Sequence, residues 1–123
     1  MKDFVIKIEP GCKPRMVVCA ELTDEWIQTE VEGSYEVNKL CNDLRNKHPN
    51  IRLLVNEDGK LFDLKANVIA TLLHDKILNI VYGAAIFVVV ERGTYRPLSA
   101  DEASALRETI LSFYDIEFEE GEE

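Results

Sequence analysis

The sequence predicts a single α+β domain: a small mixed or antiparallel sheet of about five to six strands with two to three helices, the longest at the C-terminus. The length of 123 residues suits one domain. Short apolar runs of strand length and separate helix start signals both occur along the chain. They follow no regular strand–helix–strand alternation, which favours α+β over α/β. We expect the domain over residues 1–115, followed by an acidic, disordered tail over 116–123.

The first two predicted strands form a hairpin. Residues 4–8 place three apolar side chains on one face, and residues 16–20 form a second apolar run. Pro10 and Gly11 lie between the runs and interrupt the strand, because proline lacks an N–H donor and glycine tolerates turn conformations. The intervening segment is therefore predicted to be a loose hairpin loop.

A short helix and a strand follow. Thr23 is a candidate N-cap, since the two acids after it complement the helix dipole, and Gly33 marks the helix end. Residues 35–40 alternate between apolar and polar side chains, which is typical of a half-buried strand. Residues 42–50 are polar and end in Pro-Asn, so we expect a loop there.

The middle of the chain is predicted to contain a hairpin. Residues 51–56 form an apolar run, and Asp58-Gly59 separates it from a second run at 60–62. This dipeptide favours the two-residue turns of β-hairpins. A calcium loop is rejected at this point, because its first and last ligand positions would hold Leu54 and Lys65.

A further helix and two strands are expected next. Asn67 is a candidate cap for a helix with one apolar face. That face would contain Val68, Ile69, Leu72 and Leu73. Residues 77–81 and 84–90 are predicted strands, and Gly83 between them permits the close approach of another backbone or a large side chain.

The longest helix is predicted from Ala100 to Tyr114. Ser99 and Glu102 have the spacing of a capping box. Apolar side chains then recur at helical spacing through residue 113. This element defines the C-terminal end of the predicted domain.

The cysteines and the N-terminus favour the cytoplasm. The chain has three cysteines, and an odd number cannot all pair in disulfides. No two of them have the spacing of a metal-binding or redox motif, so we interpret Cys19 and Cys41 as buried thiols. The N-terminus lacks the apolar region of a secretory signal. The longest apolar stretch, 77–90, is shorter than the roughly 20 residues of a membrane helix. We expect no membrane association.

No catalytic, metal or cofactor site is predicted, and we favour a non-catalytic protein. Neither His48 nor His74 has a second ligand at metal-motif spacing. His74 precedes Asp75 at the end of a predicted helix, where we interpret the imidazole as a surface group stabilised by the helix dipole. An acid–base pair of these two residues is the alternative.

The net charge of −9 is unevenly distributed and predicts a binding surface. Residues 21–36 hold six acids and no base, and residues 108–123 hold seven acids and no base. The charge disfavours nucleic acid, and it favours a basic protein partner or a purely solubilising role. Trp26 suits either a core anchor or a protein contact. The candidate protein-binding residues are Glu21, Asp24, Glu25, Trp26, Glu30, Glu32 and Glu36.

Several stretches together resemble a family of small proteins of unknown function (DUF3846-like) encoded on bacterial phages, plasmids and conjugative elements. The similarity spans about residues 3–112 and is carried by turns and core positions. The stretches are residues 5–11, 54–61, Asn67, 80–85 and 98–102. The resemblance implies a mobile-element context and no enzymatic activity, and it transfers no functional residue.

Three functional hypotheses follow. The first is an acidic protein-binding module, such as an inhibitor of a host nucleic-acid-directed defence protein. The second is a small-ligand or catalytic domain with a pocket near Gly83 and the Asp58-Gly59 turn. The third is a structural accessory subunit that forms a homodimer through an exposed strand edge.

Overall fold

The computed structural model describes residues 2–76 and 78–120. In chain order the elements are β1 (Asp3–Ile8), β2 (Arg15–Val18), α1 (Asp24–Val31), β3 (Tyr35–Lys39), α2 (Asn42–Lys47), β4 (Ile51–Asn56), α3 (Val68–Leu73), β5 (Ala85–Glu91), β6 (Thr94–Arg96), β7 (Leu98–Ser99) and α4 (Ala100–Tyr114). The α+β prediction is confirmed, including the bounds of the longest helix at the C-terminus.

The strands form one antiparallel sheet in the order β2-β1-β5-β4-β3. Two short strands complete it: β6 pairs with the end of β5, and β7 pairs with the start of β1. Because β1 pairs with β5, the N-terminal strand lies inside the sheet. The edge strands are β2 and β3, and the homodimer expected through a strand edge stays a prediction.

The two faces of the sheet are covered unequally. Helices α2, α3 and α4 cover one face, where Phe87 on β5 and Leu106 on α4 belong to the larger apolar core. Helix α1 covers the other face and contributes Ile27 to a smaller core with Leu54 and Ile86. Each central strand therefore buries side chains on both faces, which explains the nearly continuous apolar run of β5.

Buried asparagine side chains join separate segments. Asn67 caps α3 by accepting from the Ala70 N–H, and its amide donates to the carbonyls of Ile8 and Gly83, both at 2.9 Å. The predicted cap is therefore confirmed, and it also fastens α3 to the end of β1. At Gly83, a Cβ atom would lie 2.7 Å from the Leu64 side chain, which confirms the predicted close approach.

The predicted loop over residues 42–50 is wrong. Residues 42–47 form helix α2, which is held to the core by the buried Leu44. The helix is polar because its other side chains face solvent or half-buried positions, and one apolar anchor gives no recognisable periodicity.

The predicted hairpin at Asp58-Gly59 is also wrong. Residues 60–62 form turns rather than a strand, and Phe62 N–H donates to the Asp58 carbonyl at 3.0 Å. Neither Asp58 nor Gly59 has a positive φ, so the dipeptide is not in the turn type that favours it in hairpins. Strand β4 pairs instead with β3 and β5.

Two further predictions need correction. The predicted apolar face of α3 is also wrong. The side of this six-residue helix that packs on the core contains Ala70 and Leu73, whereas Val68 and Leu72 are exposed on the other side. Residues 78–81 of the predicted strand 77–81 form no strand, and Ile77 lies outside the described residues.

The segment after α4 packs against the domain instead of separating at residue 115. Phe118 is buried in the larger core, and Glu119 N–H donates to the Pro14 carbonyl at 2.8 Å. Residues 116–119 therefore differ from the disordered tail that their acidic composition predicts, because two apolar side chains among the acids reach the core. Residues 121–123 lie outside the described part of the chain.

Candidate functional site

The acidic segment 21–36 extends over α1 and both of its flanks. Four of its acids, Glu21, Glu25, Glu32 and Glu36, are exposed and make no ion pair within the described residues. The other two have partners inside the domain. Glu30 Oε1 lies 2.8 Å from Lys7 Nζ, and Asp24 Oδ1 accepts a 2.6 Å hydrogen bond from the Tyr35 hydroxyl. The segment therefore offers four free carboxylates rather than six.

The contact between Tyr35 and Asp24 orders the start of this surface. The hydrogen bond to the Asp24 carboxylate, together with partial burial, raises the pKa of Tyr35 to about 12. Trp26 is half-buried against the smaller core. It is thus partly a packing residue of α1, and the rest of its side chain is exposed.

A cavity of about 390 Å³ lies beside the edge strand β3. Its walls come from β3, the end of β4, the turn that follows β4, His74, Lys76 and residues 78–82. Its lining includes Asn38, Gly59, Leu78, Ile80 and Tyr82. The location matches the turn named in the sequence hypothesis of a ligand pocket, although the turn is not a hairpin.

His74 reaches the cavity from the end of α3. The residue forms a β-bridge with Leu40, and the next N–H, that of Asp75, donates to the Lys39 carbonyl at 3.1 Å. These contacts fix the end of α3 against β3. The side chain is 2% exposed, so the interpretation of His74 as a surface group is wrong. A helix end that turns back onto a sheet edge buries its last side chain, and sequence spacing does not reveal this.

The two ring nitrogens of His74 have different environments. Nδ1 lies 2.7 Å from the Thr71 carbonyl oxygen. Nε2 is buried and has no hydrogen-bond partner among residues 2–76 and 78–120. Most buried polar atoms in proteins do have partners, so this nitrogen is an exception that calls for an explanation.

Asn38, on strand β3, also has a buried polar atom without a hydrogen-bond partner among the described residues. It is the fourth of the five residues of β3, where it pairs with Leu53, and it is 2% exposed. Its Oδ1 atom is buried without a hydrogen-bond partner in the described part of the chain. Asn56, which also lines the cavity, is different: its side chain bonds to the Val31 carbonyl and the Asp58 N–H. Asn38 and His74 alone among the described residues contain such unpartnered buried atoms.

The mouth of the cavity combines balanced charge with exposed apolar side chains. Glu36, Glu57, Lys60 and Lys76 belong to its lining and are exposed. Leu78 is 95% exposed and Ile80 is 55% exposed. The cavity therefore has a polar buried end and a partly apolar mouth.

A second cavity, of about 310 Å³, lies at Gly83 and includes Leu64 and Lys65. It contains neither Asn38 nor His74, and so it lacks the convergent buried polar groups of the first cavity. Sequence reasoning identified the region of Gly59 and Gly83 but missed Asn38 altogether. The apolar–polar alternation of residues 35–38 assigns Asn38 to the exposed face of β3, but in the structure Asn38 is buried and Val37 is 40% exposed, so the alternation hides this residue.

The remaining chemically reactive groups do not assemble a second site. Among residues 2–76 and 78–120, no group of three or more His, Cys, Asp and Glu is placed to hold a metal ion. Cys19 is buried, as predicted, and burial raises the pKa of its thiol. Cys41 is only partly buried, and its Sγ lies 3.0 Å from the Tyr114 hydroxyl.

No helix in the described part of the chain combines the length and apolar character needed to cross a membrane. The resemblance to the mobile-element family stays a prediction. Comparison of the chain with protein-family models, with curated proteins and with solved structures finds no match.

Proposed function

We propose that this protein is a small-ligand-binding domain whose site is the cavity beside β3. One observation carries the proposal. Asn38 and His74 line the same cavity from different elements, and each has a buried polar atom without a hydrogen-bond partner among the residues that the structure describes.

The unpartnered atoms Asn38 Oδ1 and His74 Nε2 lower the stability of the ligand-free protein. A buried donor or acceptor without a partner costs about 1–3 kcal/mol. An apolar side chain of similar size at either position would avoid that cost. Sequences depart from such folding rules chiefly at functional sites, so a pair of departures in one cavity favours a ligand as the partner.

The dimensions of the cavity are compatible with this role. Ligand sites usually occupy about 300–1,000 Å³ and combine apolar walls with a few convergent polar groups. At about 390 Å³ the cavity suits a ligand at the small end of this range. The two unpartnered atoms are themselves buried, so we expect their side chains to rotate towards the cavity when a ligand bonds to them.

The test is a screen of small polar molecules by ¹H–¹⁵N NMR, read from the Asn38 side-chain amide and the His74 ring. Bound molecules should perturb both signals and raise the melting temperature. Asn38→Leu should abolish binding, whereas Asn46→Leu, the same change at an exposed position of α2, should preserve it. The proposal fails if no molecule perturbs these signals, or if binding survives Asn38→Leu unchanged.

A second candidate function is an acidic protein-binding module for a basic partner, as an inhibitor of a host defence protein would be. The specific observation in its favour is the set of four exposed carboxylates around α1 that form no ion pair with any residue that the structure describes. Complementary charge of this kind accelerates association and aids specificity. The sign of the surface disfavours direct contact with nucleic acid.

Affinity capture from the host at low and high salt tests this second function. Glu25→Lys with Glu32→Lys should abolish the capture of a basic protein, and high salt should weaken it in the unmodified chain. Asp101→Lys with Glu108→Lys, on α4 at the opposite face of the sheet, is the matched control. Capture that survives reversal of Glu25 and Glu32 contradicts the acidic-surface function.

A further inference from the structure

We infer that the ligand of the β3 cavity is an uncharged small molecule whose buried end carries N–H donors, such as a primary carboxamide or an amino group on a heterocycle. This inference rests on the proposed function, because it specifies the chemistry of a ligand for the same cavity. It follows from whether the unpartnered atoms of Asn38 and His74 donate or accept hydrogen bonds.

The contact with Thr71 fixes the role of His74. A backbone carbonyl only accepts hydrogen bonds, so the 2.7 Å contact requires that Nδ1 carries the proton. In the tautomer with the proton on Nδ1, Nε2 carries a lone pair and is an acceptor.

Asn38 also contributes an unpartnered hydrogen-bond acceptor. Its unpartnered buried atom is the carbonyl oxygen Oδ1, which only accepts. The two unpartnered atoms at the cavity are thus both acceptors. A ligand that satisfies them must donate, and a group with two N–H bonds has enough donors for both.

The charge distribution favours an uncharged donor over an ammonium group. Neither Asn38 nor His74 offers a negative charge at the buried end. Glu36 and Glu57 are exposed, and Lys60 and Lys76 balance their charge at the mouth. A cation moved from water to this buried end would lose hydration without gaining an ion pair there.

The mouth adds a requirement for apolar surface on the outer part of the ligand. Leu78 and Ile80 expose large apolar side chains next to the cavity. A planar or aliphatic body attached to the donor group would cover them and gain stability by removing apolar area from water. These two requirements together describe an amide or amine on an uncharged ring.

Benzamide, benzoate and benzylamine test the inference because they share one shape and differ in the polar group. Benzamide supplies neutral donors, benzoate supplies only acceptors, and benzylamine is a cation at pH 7. We expect benzamide to perturb the Asn38 amide and the His74 ring in ¹H–¹⁵N spectra. Its affinity should be at least about tenfold higher than that of either analogue, because benzoate leaves the buried acceptors unsatisfied and benzylamine must desolvate its charge. Asn38→Leu and His74→Phe should each remove the benzamide response, and Asn46→Leu should not.

The outcomes separate this inference from the proposed function. Binding of benzoate or benzylamine at the cavity as tightly as benzamide, or a screened ligand that binds there without N–H donors, overturns the donor chemistry and leaves the ligand site intact. No response from benzamide or from any screened molecule overturns both. Ordered water on Asn38 and His74 that no molecule displaces likewise overturns both.

Discussion

Gly59 lies against the backbone of Tyr82, so closely that a Cβ atom at Gly59 would be 2.5 Å from the Tyr82 carbonyl oxygen. The contact joins the turn after β4 to the segment before β5, and both form walls of the β3 cavity. The role of this glycine is close approach rather than a left-handed turn.

Gly59→Ala should therefore destabilise the protein. We expect a loss of about 1–3 kcal/mol in the free energy of unfolding, as for other overpacking substitutions, measured by urea denaturation. The amide signals of Tyr82 and Asn38 should shift as the wall is displaced. Lys60→Ala at the exposed neighbouring position should change stability by less than about 0.5 kcal/mol. Equal stability of the two variants would contradict the packing role of Gly59.

Asn38→Leu should stabilise the ligand-free protein. The substitution removes an unpartnered buried acceptor and places an apolar side chain in the core face of β3, for a gain of about 1–2 kcal/mol. Differential scanning calorimetry should show a higher melting temperature for Asn38→Leu and an unchanged one for Asn46→Leu. A lower melting temperature for Asn38→Leu would mean that Asn38 serves stability instead of ligand binding.

The contact between Arg96 and Glu102 should make stability depend on pH. Arg96 donates to both carboxylate oxygens of Glu102, at 2.8 and 2.9 Å, and this guanidinium lowers the pKa of Glu102 to about 2. The folded-state pKa is below the unfolded value of about 4.3, so the stabilisation is present above pH 4.3 and is lost as the pH falls towards 2.

Glu102→Gln should accordingly lower the free energy of unfolding at pH 7 and leave it nearly unchanged at pH 2, as measured by urea denaturation across that range. Glu108→Gln, on the exposed side of the same helix, controls for loss of a carboxylate from α4. A difference between Glu102→Gln and the unmodified protein that stays constant with pH would contradict the assignment.

Phe118 should determine where the domain ends. Its side chain is buried, and the Arg107 guanidinium lies 5.7 Å from its ring centroid. Phe118→Ala should lower the free energy of unfolding by about 3 kcal/mol, the usual range for loss of a buried aromatic side chain. Glu120→Ala, two residues further on, should have no measurable effect. Equal stability of the two variants would instead support the predicted end of the domain at residue 115.

Local signals in the sequence account for much of the fold. The capping box at Ser99 and Glu102 is present in full, and Thr23 and Asn67 cap their helices as predicted. These elements were predictable because the interactions that start a helix lie within a few residues of each other. The same applies to the hairpin of β1 and β2.

The elements that were mispredicted depend on distant contacts. Helix α2 is held by one buried leucine, and the turn at Gly59 is shaped by Tyr82, which is 23 residues away in the sequence. The candidate site has the same character. Asn38 and His74 come from a strand and a helix end, and no local pattern brings them to one cavity.

The position of β1 also has a consequence for synthesis of the chain on the ribosome. This strand pairs with β2, β5 and β7, so two of its three partners lie at residues 85–99. The nascent chain can form the β1–β2 hairpin early, but the inner edge of β1 stays open until β5 and β7 have been made. Contacts of such long sequence separation slow folding, because the intervening chain must be ordered first. The sheet is therefore expected to close only after synthesis has passed residue 99, and a chain that stops before β5 would expose an unpaired strand to its neighbours.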